Sequence, residues 1–364
     1  MKRIFALVAA LCLLLCACTA APQPTAPSTQ ATTEPTTEPT TEPTTEPTTE
    51  PTEPPILYRH PLLGTPLDEP FTGRATAVVV NNIEACLPQY GIAEADMLIE
   101  AETEGGITRF LAIYSDLTEI AQIGPVRSAR TFFCDLALSF DSPLIHCGGS
   151  EKALAGMRSQ TEKIQDWEHI NEQYNGPYFF RETDRYYYQG YNWEHTLFTR
   201  GELLQKGLAD KGFRTENTEA TDYGFLFDDE ALPTGDTAQT VTVKFRGTKT
   251  TTFTYDAEKG VYMAAQYGDD LIDAITNETV TFRNVLVLHA DQWKDSSGYR
   301  SYYELLGTGD GYFACNGQIV TIKWSRETGN DPFSFTLADG TPLTMGVGTG
   351  YIGIIDLDGS VTFE

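Results

Sequence analysis

The clearest signals along the chain are runs of β-branched and apolar residues broken by short polar turns. Ala75–Val80, Met97–Thr103 and Ile107–Tyr114 read as strands, and Gly105-Gly106 between the last two predicts a hairpin. A two-residue loop sets Glu104 opposite Ile107 and therefore Glu102 opposite Arg109, with Glu100 on the same face. Pro125 suits the first turn of a helix running to about Phe140, with Phe133, Leu136, Ala137 and Phe140 as its apolar stripe. Pro143–Cys147 reads as a buried strand, Gly148-Gly149-Ser150 as a turn and Glu151–Arg158 as a helix. Thr199-Arg-Gly-Glu202 has the spacing of a capping box, with Gly212 ending its helix.

Beyond residue 240 the pattern becomes alternating: 241–245, 252–255 and 285–288. Asp256–Gly260, Asn316-Gly317, Asp339-Gly340 and Asp358-Gly359 mark the turns. The expected class is α+β. An N-terminal mixed α/β domain over 56–215 carries a hairpin and several helices, and a mainly antiparallel β domain of barrel or sandwich form occupies 240–364.

The first 55 residues follow different rules. Lys2 and Arg3 precede a short apolar run, Ile4 to Leu15, which ends in Leu15-Cys16-Ala17-Cys18. That is a signal peptide over 1–18 with a small residue before Cys18, the pattern for cleavage and lipidation at that thiol. Residues 19–55 repeat Thr, Pro and Glu with almost nothing apolar, so they predict a disordered stalk. In polyproline conformation, at about 3 Å per residue, it reaches on the order of 100 Å. The expected location is the outer face of a bacterial cell membrane, lipid-anchored.

The net charge of −26 argues against nucleic acid and anionic lipid surfaces as partners. The membrane is then touched through the anchor only. Cys86, Cys134, Cys147 and Cys315 have no metal-ligand spacing; they read as buried free thiols, with a Cys134–Cys147 disulfide as the alternative. No metal and no cofactor is expected. Asp356 and Asp358 read as turn residues, since no EF-hand loop surrounds them.

Candidate chemistry gathers in the N-terminal half. Arg127 and Arg130, three apart on the expected helix start, oppose its dipole and call for an anion. With Arg109 and the Gly148, Gly149, Ser150 turn they form a candidate anion site. Glu100 or Glu102 is the internal alternative. His146 and His195 with those glutamates are the candidates for acid–base chemistry, although no nucleophile or metal motif accompanies them. Residues 167–195, rich in Tyr, Phe and Trp with Arg181 and Arg185, read as a packed aromatic loop or as a carbohydrate or peptide platform.

Glu104–Ile113, Ile123–Arg130 and His146–Ser150 together resemble the YerB family of bacterial lipoproteins. Asn81-Asn82, Pro88-Gln89, Ala95-Asp96 and His195 with Leu197 and Thr199 fit the same pattern. Asn284-Val285, Asn316-Gly317 and Lys323-Trp324 resemble the family's C-terminal module. Ile99, Cys147, Glu151 and Thr196 depart from it. The resemblance implies a two-domain, lipid-anchored surface protein and no particular activity. Three functions follow in order: an envelope module binding a polymer or protein through the arginines, an interaction scaffold whose Arg/Glu cluster is structural, and a wall hydrolase.

Overall fold

The computed structural model describes residues 58–158, 168–171, 176–296, 298 and 301–364. The signal peptide with Cys18 and the stalk lie outside the described residues.

Hydrophobic alternation explains the centre of the fold. Alternate residues of the Thr76–Asn82, Met97–Glu104 and Ile107–Tyr114 strands feed two different cores. Ala77, Val79, Ile99, Ala101, Leu111 and Ile113 join the first, beside the Thr131–Ser139 helix residues Phe132, Phe133 and Leu136. Val78, Val80, Leu98, Phe110 and Ala112 join the second, with Val241, Val243, Phe253 and Tyr262. A sheet covered on both faces needs apolar residues at successive positions, which is why Thr76–Val80 is almost unbroken by polar ones.

These are three strands of an eleven-stranded sheet. Its order runs from Asp236–Thr237 through Gln318–Arg326, Gly307–Cys315, Asn284–His289 and Gly350–Ile355. It continues with Met97–Glu104, Ile107–Tyr114, Thr76–Asn82, Leu144–His146 and His169–Asn171, while Ser334–Leu337 branches from Gln318–Arg326. A six-stranded sheet, built mainly from Thr240–Lys244, Thr250–Asp256, Val261–Gln266 and Ser360–Phe363, supplies the second core's other wall. The protein is thus α+β, with strands and helices mixed in its N-terminal region and mainly antiparallel sheet in its C-terminal region.

The segments expected as domains, 56–215 and 240–364, share the large sheet. They meet where Gly350–Ile355 pairs in parallel with Met97–Glu104, from Gly350↔Met97 to Ile354↔Ala101. Every residue of both strands is buried, so the junction lies in the core.

Several local expectations are corrected. The helix begins at Thr131, not Pro125. Residues 124–130 instead run extended, because Asn81 donates to the Pro125 carbonyl, Val126 to Leu197 and Arg127 to Val79. Arg127 and Arg130 therefore do not share a helical face. The hairpin loop is as expected at Glu104↔Ile107, but a β-bulge at Thr103 shifts the register: Glu102 faces Thr108 and Ala101 faces Arg109. Thr199 does not cap the Gly201–Lys211 helix. It is drawn into pairing with Ile123, and its hydroxyl donates to the Tyr178 carbonyl at 2.7 Å. Gly212 ends that helix in the left-handed conformation, φ +67°.

Gly201 shows how tightly this helix start is seated. A β-carbon there would lie 1.8 Å from the Leu117 carbonyl oxygen and 3.2 Å from that of Ile120. Gly201→Ala is expected to cost about 1–3 kcal/mol through overpacking, read as a lower urea midpoint with an unchanged slope.

Candidate functional site

The polar residues singled out in the N-terminal half do not form one site, and two buried glutamates each gather a cluster of their own. The first centres on Glu100, fully buried on the second-core side. Its carboxylate accepts hydrogen bonds from Asn82 Nδ2 (2.8 Å), Thr108 (2.6 Å), Thr251 (2.8 Å) and Tyr351 (2.8 Å). Gln266 adds a longer one, and Lys249 Nζ stands 3.2 Å away. Burial lowers the Lys249 pKa and Glu100 works against that shift. Four of these partners, Lys249, Thr251, Gln266 and Tyr351, come from the C-terminal segment. Glu100 is a polar rivet between the two halves, with no free lone pair aimed at solvent.

The second cluster is Glu104 with Arg109 and Arg130. Because the bulge resets the strand's alternation, Glu104 rather than Glu102 meets Arg109, at 2.8 Å. Its other oxygen accepts from Arg130 Nε at 2.8 Å, and Arg130 Nη2 closes a second contact. All three side chains are buried. Burial raises the Glu104 pKa, but Arg109 and Arg130 outweigh it and hold the carboxyl below its ordinary value. Ser128 O takes a further Arg109 donor at 2.7 Å. Arg109 Nε has no partner among the described residues.

Glu102 belongs to neither. It pairs with Lys294 Nζ, with Ser301 nearby, and its backbone N–H donates to Tyr303 OH at 3.1 Å.

The histidines sit elsewhere, and burial disfavours the charged form of each. Burial pushes His146 down to about 4; His169 lowers it further, while the contact to Gly148 O at 2.7 Å opposes this. Its Nε2 lies 3.1 Å from His169 Nδ1. His195 is lowered by burial, against Glu194; Asn81 Nδ2 approaches its Nδ1 at 2.9 Å. Neither imidazole contacts Glu100 or Glu102, so the acid–base set is not assembled. The Gly148–Ser150 turn is also used internally. Gly148 N–H donates to Asn171 Oδ1 and Ser150 N–H to Ala129 O, and Ser150 Oγ accepts from Ala153 N–H at the next helix start. Cys86, Cys134, Cys147 and Cys315 are free thiols.

Arg127 alone among the candidate arginines reaches the surface, where it pairs with Glu194 at 3.0 Å. Its Nε has no partner among the described residues. Glu194 follows Trp193, which belongs to an exposed aromatic ridge. Tyr186, Tyr187, Tyr188 and Trp193 are 45, 67, 83 and 45 % exposed. Tyr186 packs edge-on against Tyr187 and Trp193 at 5.1 and 5.5 Å. Below them Arg185 acts as a bolt. Buried, it donates to Cys86 O (2.8 Å) and Pro88 O (3.2 Å) and stacks on Tyr191 at 3.9 Å. Arg181 stacks on Trp193 and donates to its carbonyl at 2.7 Å. The aromatic run was visible in the sequence; which rings face outward was not, because that depends on Arg185 turning inward. Lys249 and Lys294 carried no spacing signal at all.

A cavity of about 340 Å³ is lined by Arg74, Asp141, Glu168 and Arg214 among others, with His169, the neighbour of His146, in its wall. Its cations are already paired, Arg74 with Glu168 and Asp141, Arg214 with Asp141.

Two family models match the chain, the N-terminal domain of the protein family of unknown function DUF3048 over residues 63–214 and its C-terminal domain over 241–352. The chain belongs to the DUF3048 family. A relative from Bacillus subtilis (strain 168), YerB, named as a proposed lipoprotein, is 29% identical over 305 residues, spanning 82% of this chain and 86% of its own. The crystal structure of Bacillus subtilis YerB superposes with a TM-score of 0.70 at 27% identity, covering 84% of this chain and 99% of that one. The joined sheet described above is therefore this chain's version of the DUF3048 fold. No helix among the described residues is long and apolar enough to cross a membrane.

Proposed function

We propose that this chain is a lipid-anchored interaction module of the bacterial cell envelope. Cys18 carries the anchor at the outer face of the cell membrane, residues 19–55 are the tether, and the folded unit docks a protein partner. The relative's name and the signal-like first 18 residues support the anchor. The acidic chain leaves nucleic acid outside its partners.

The observation that carries the docking role is the ridge of Tyr186, Tyr187, Tyr188 and Trp193. Tyr, Trp and Arg are the residues that dominate protein–protein binding energy. Here they are held in place beforehand by Arg185 and Arg181, which lowers the ordering cost of association. The buried Arg109–Glu104–Arg130 cluster fits the same reading, as a structural network rather than the binding surface. The anion-site reading keeps one supporting feature, the Nε atoms of Arg109 and Arg127, which have no partner among the described residues. The hydrolase reading keeps none, since its glutamates and histidines are apart.

A photo-crosslinking residue placed at Tyr188 in cells tests the proposal. A discrete adduct with one envelope protein is expected, lost when Trp193→Ala and Tyr186→Ala are added. The exposed position Leu357 serves as the control. Equal adducts at both positions, or none at Tyr188, would sink it.

A further inference from the structure

A second cleft shares no residue with the ridge. It has a volume of about 310 Å³ and lies where the Thr131–Ser139 and Glu151–Arg158 helices meet the Gln292–Lys294/Ser301–Tyr303 hairpin. Such a volume is at the small end of ligand pockets.

One wall is aromatic. Trp293 and Tyr302 are cross-strand partners, stacked with an interplanar angle of 15° and centroids 6.0 Å apart. Trp293 is 44 % exposed, so one face of the indole remains free. Lys152 Nζ stands 4.8 Å from the Tyr302 ring centre.

The other wall is polar and incompletely satisfied. Arg326 is 2 % exposed. Its Nε donates to Asp331 O at 3.0 Å and its Nη2 to Asp135 O at 2.7 Å and to Gly329 O. Its Nη1 has no partner among the described residues. That atom has no solvent-facing surface, so the polar groups the cleft presents are those of Asp135, Glu304 and Lys152. The half-buried Asp135 carboxyl lines the same cleft, and burial pushes it up to about 6, against the pull of Arg326 and Lys152. Among the described residues no cation forms an ion pair with it. Glu304 adds a further carboxylate at the rim.

A flat aromatic face flanked by both donors and acceptors suits a ring with an apolar C–H face and hydroxyls around its edge. A phosphorylated or polyanionic ligand would meet Asp135, Glu304 and the acidic chain as a whole. We propose that the cleft between Trp293, Tyr302, Asp135 and Arg326 binds a pyranose unit of a glycan. The ring stacks on Trp293, and hydroxyls at its edge donate to the Asp135 carboxyl. This extends the envelope reading, which it uses only to choose the probe.

The test is calorimetric titration of the full chain with neutral β-1,4-linked N-acetylglucosamine oligomers, with trialanine as the peptide arm. Saturable glycan binding is expected, weakened at least about tenfold by Trp293→Ala and by Asp135→Asn, with no trialanine binding. Trp293 is exposed, so its variant should keep the wild-type circular dichroism spectrum and thermal midpoint. Absent glycan binding, binding unchanged in Trp293→Ala, or binding of trialanine instead would overturn the assignment. A glycan result dependent on Trp293 stands even if the Tyr188 crosslink fails, because the two sites have no residue in common.

Discussion

Glu100→Ala is expected to lower stability by about 3–5 kcal/mol, because it leaves Lys249 buried without its counter-charge. Asn82, Thr108, Thr251 and Tyr351 lose their shared acceptor at the same time. The substitution acts at the joint between the segments, so the whole sheet should melt in a single transition at lower temperature. The pH dependence follows from Lys249. Burial already lowers its pKa, and Glu100 is the largest influence that raises it. Without Glu100 its folded pKa falls further below the unfolded value. Folding then releases a proton, and stability rises with pH. The deficit against wild type should therefore shrink as pH is raised toward the ordinary lysine value. A deficit that grows with pH would contradict this account, as would a loss below about 1 kcal/mol, the range of an exposed pair.

Glu104→Ala is the second large effect. Arg109 and Arg130 would then face each other, buried, with no anion between them. The expected loss is again about 3–5 kcal/mol. The sign of the pH dependence is opposite to that of the Glu100 variant. The folded Glu104 pKa lies below its ordinary value. Its stabilising contribution is complete above the unfolded carboxylate range and is lost as pH falls through the folded value. Wild type and Glu104→Ala should therefore converge in stability on strong acidification and diverge between that point and neutral pH. Urea midpoints across that range read the difference directly.

Much of the fold was legible because local pattern and tertiary role agree. Ile107–Tyr114 was read to the residue, and the two-residue turns at Gly105-Gly106 and Asn316-Gly317 pair as the spacing requires. The site was less legible for specific reasons. One bulge residue, Thr103, moves Glu104 into the place where the alternation rule puts Glu102, and no residue type there announces it. Pro125 suits a first helical turn, but the N–H groups of Val126 and Arg127 are claimed by long-range acceptors, Leu197 O and Val79 O. Sequence periodicity is blind to partners that far away. The same holds for Lys249, which meets Glu100 across a separation of 149 positions in an alternating strand region.

The central claim is that Glu104 already occupies the place an anionic ligand would take between the arginines. The most direct measurement is the thermal midpoint of wild type and Glu104→Ala, each with and without acetate and inorganic phosphate at matched ionic strength. The account predicts no specific shift for wild type and partial recovery of Glu104→Ala by acetate, the small carboxylate that refits the vacated space. Equal stabilisation of both proteins by phosphate, with no selective recovery by acetate, would contradict it and return Arg109, Arg127 and Arg130 to the role of a ligand site.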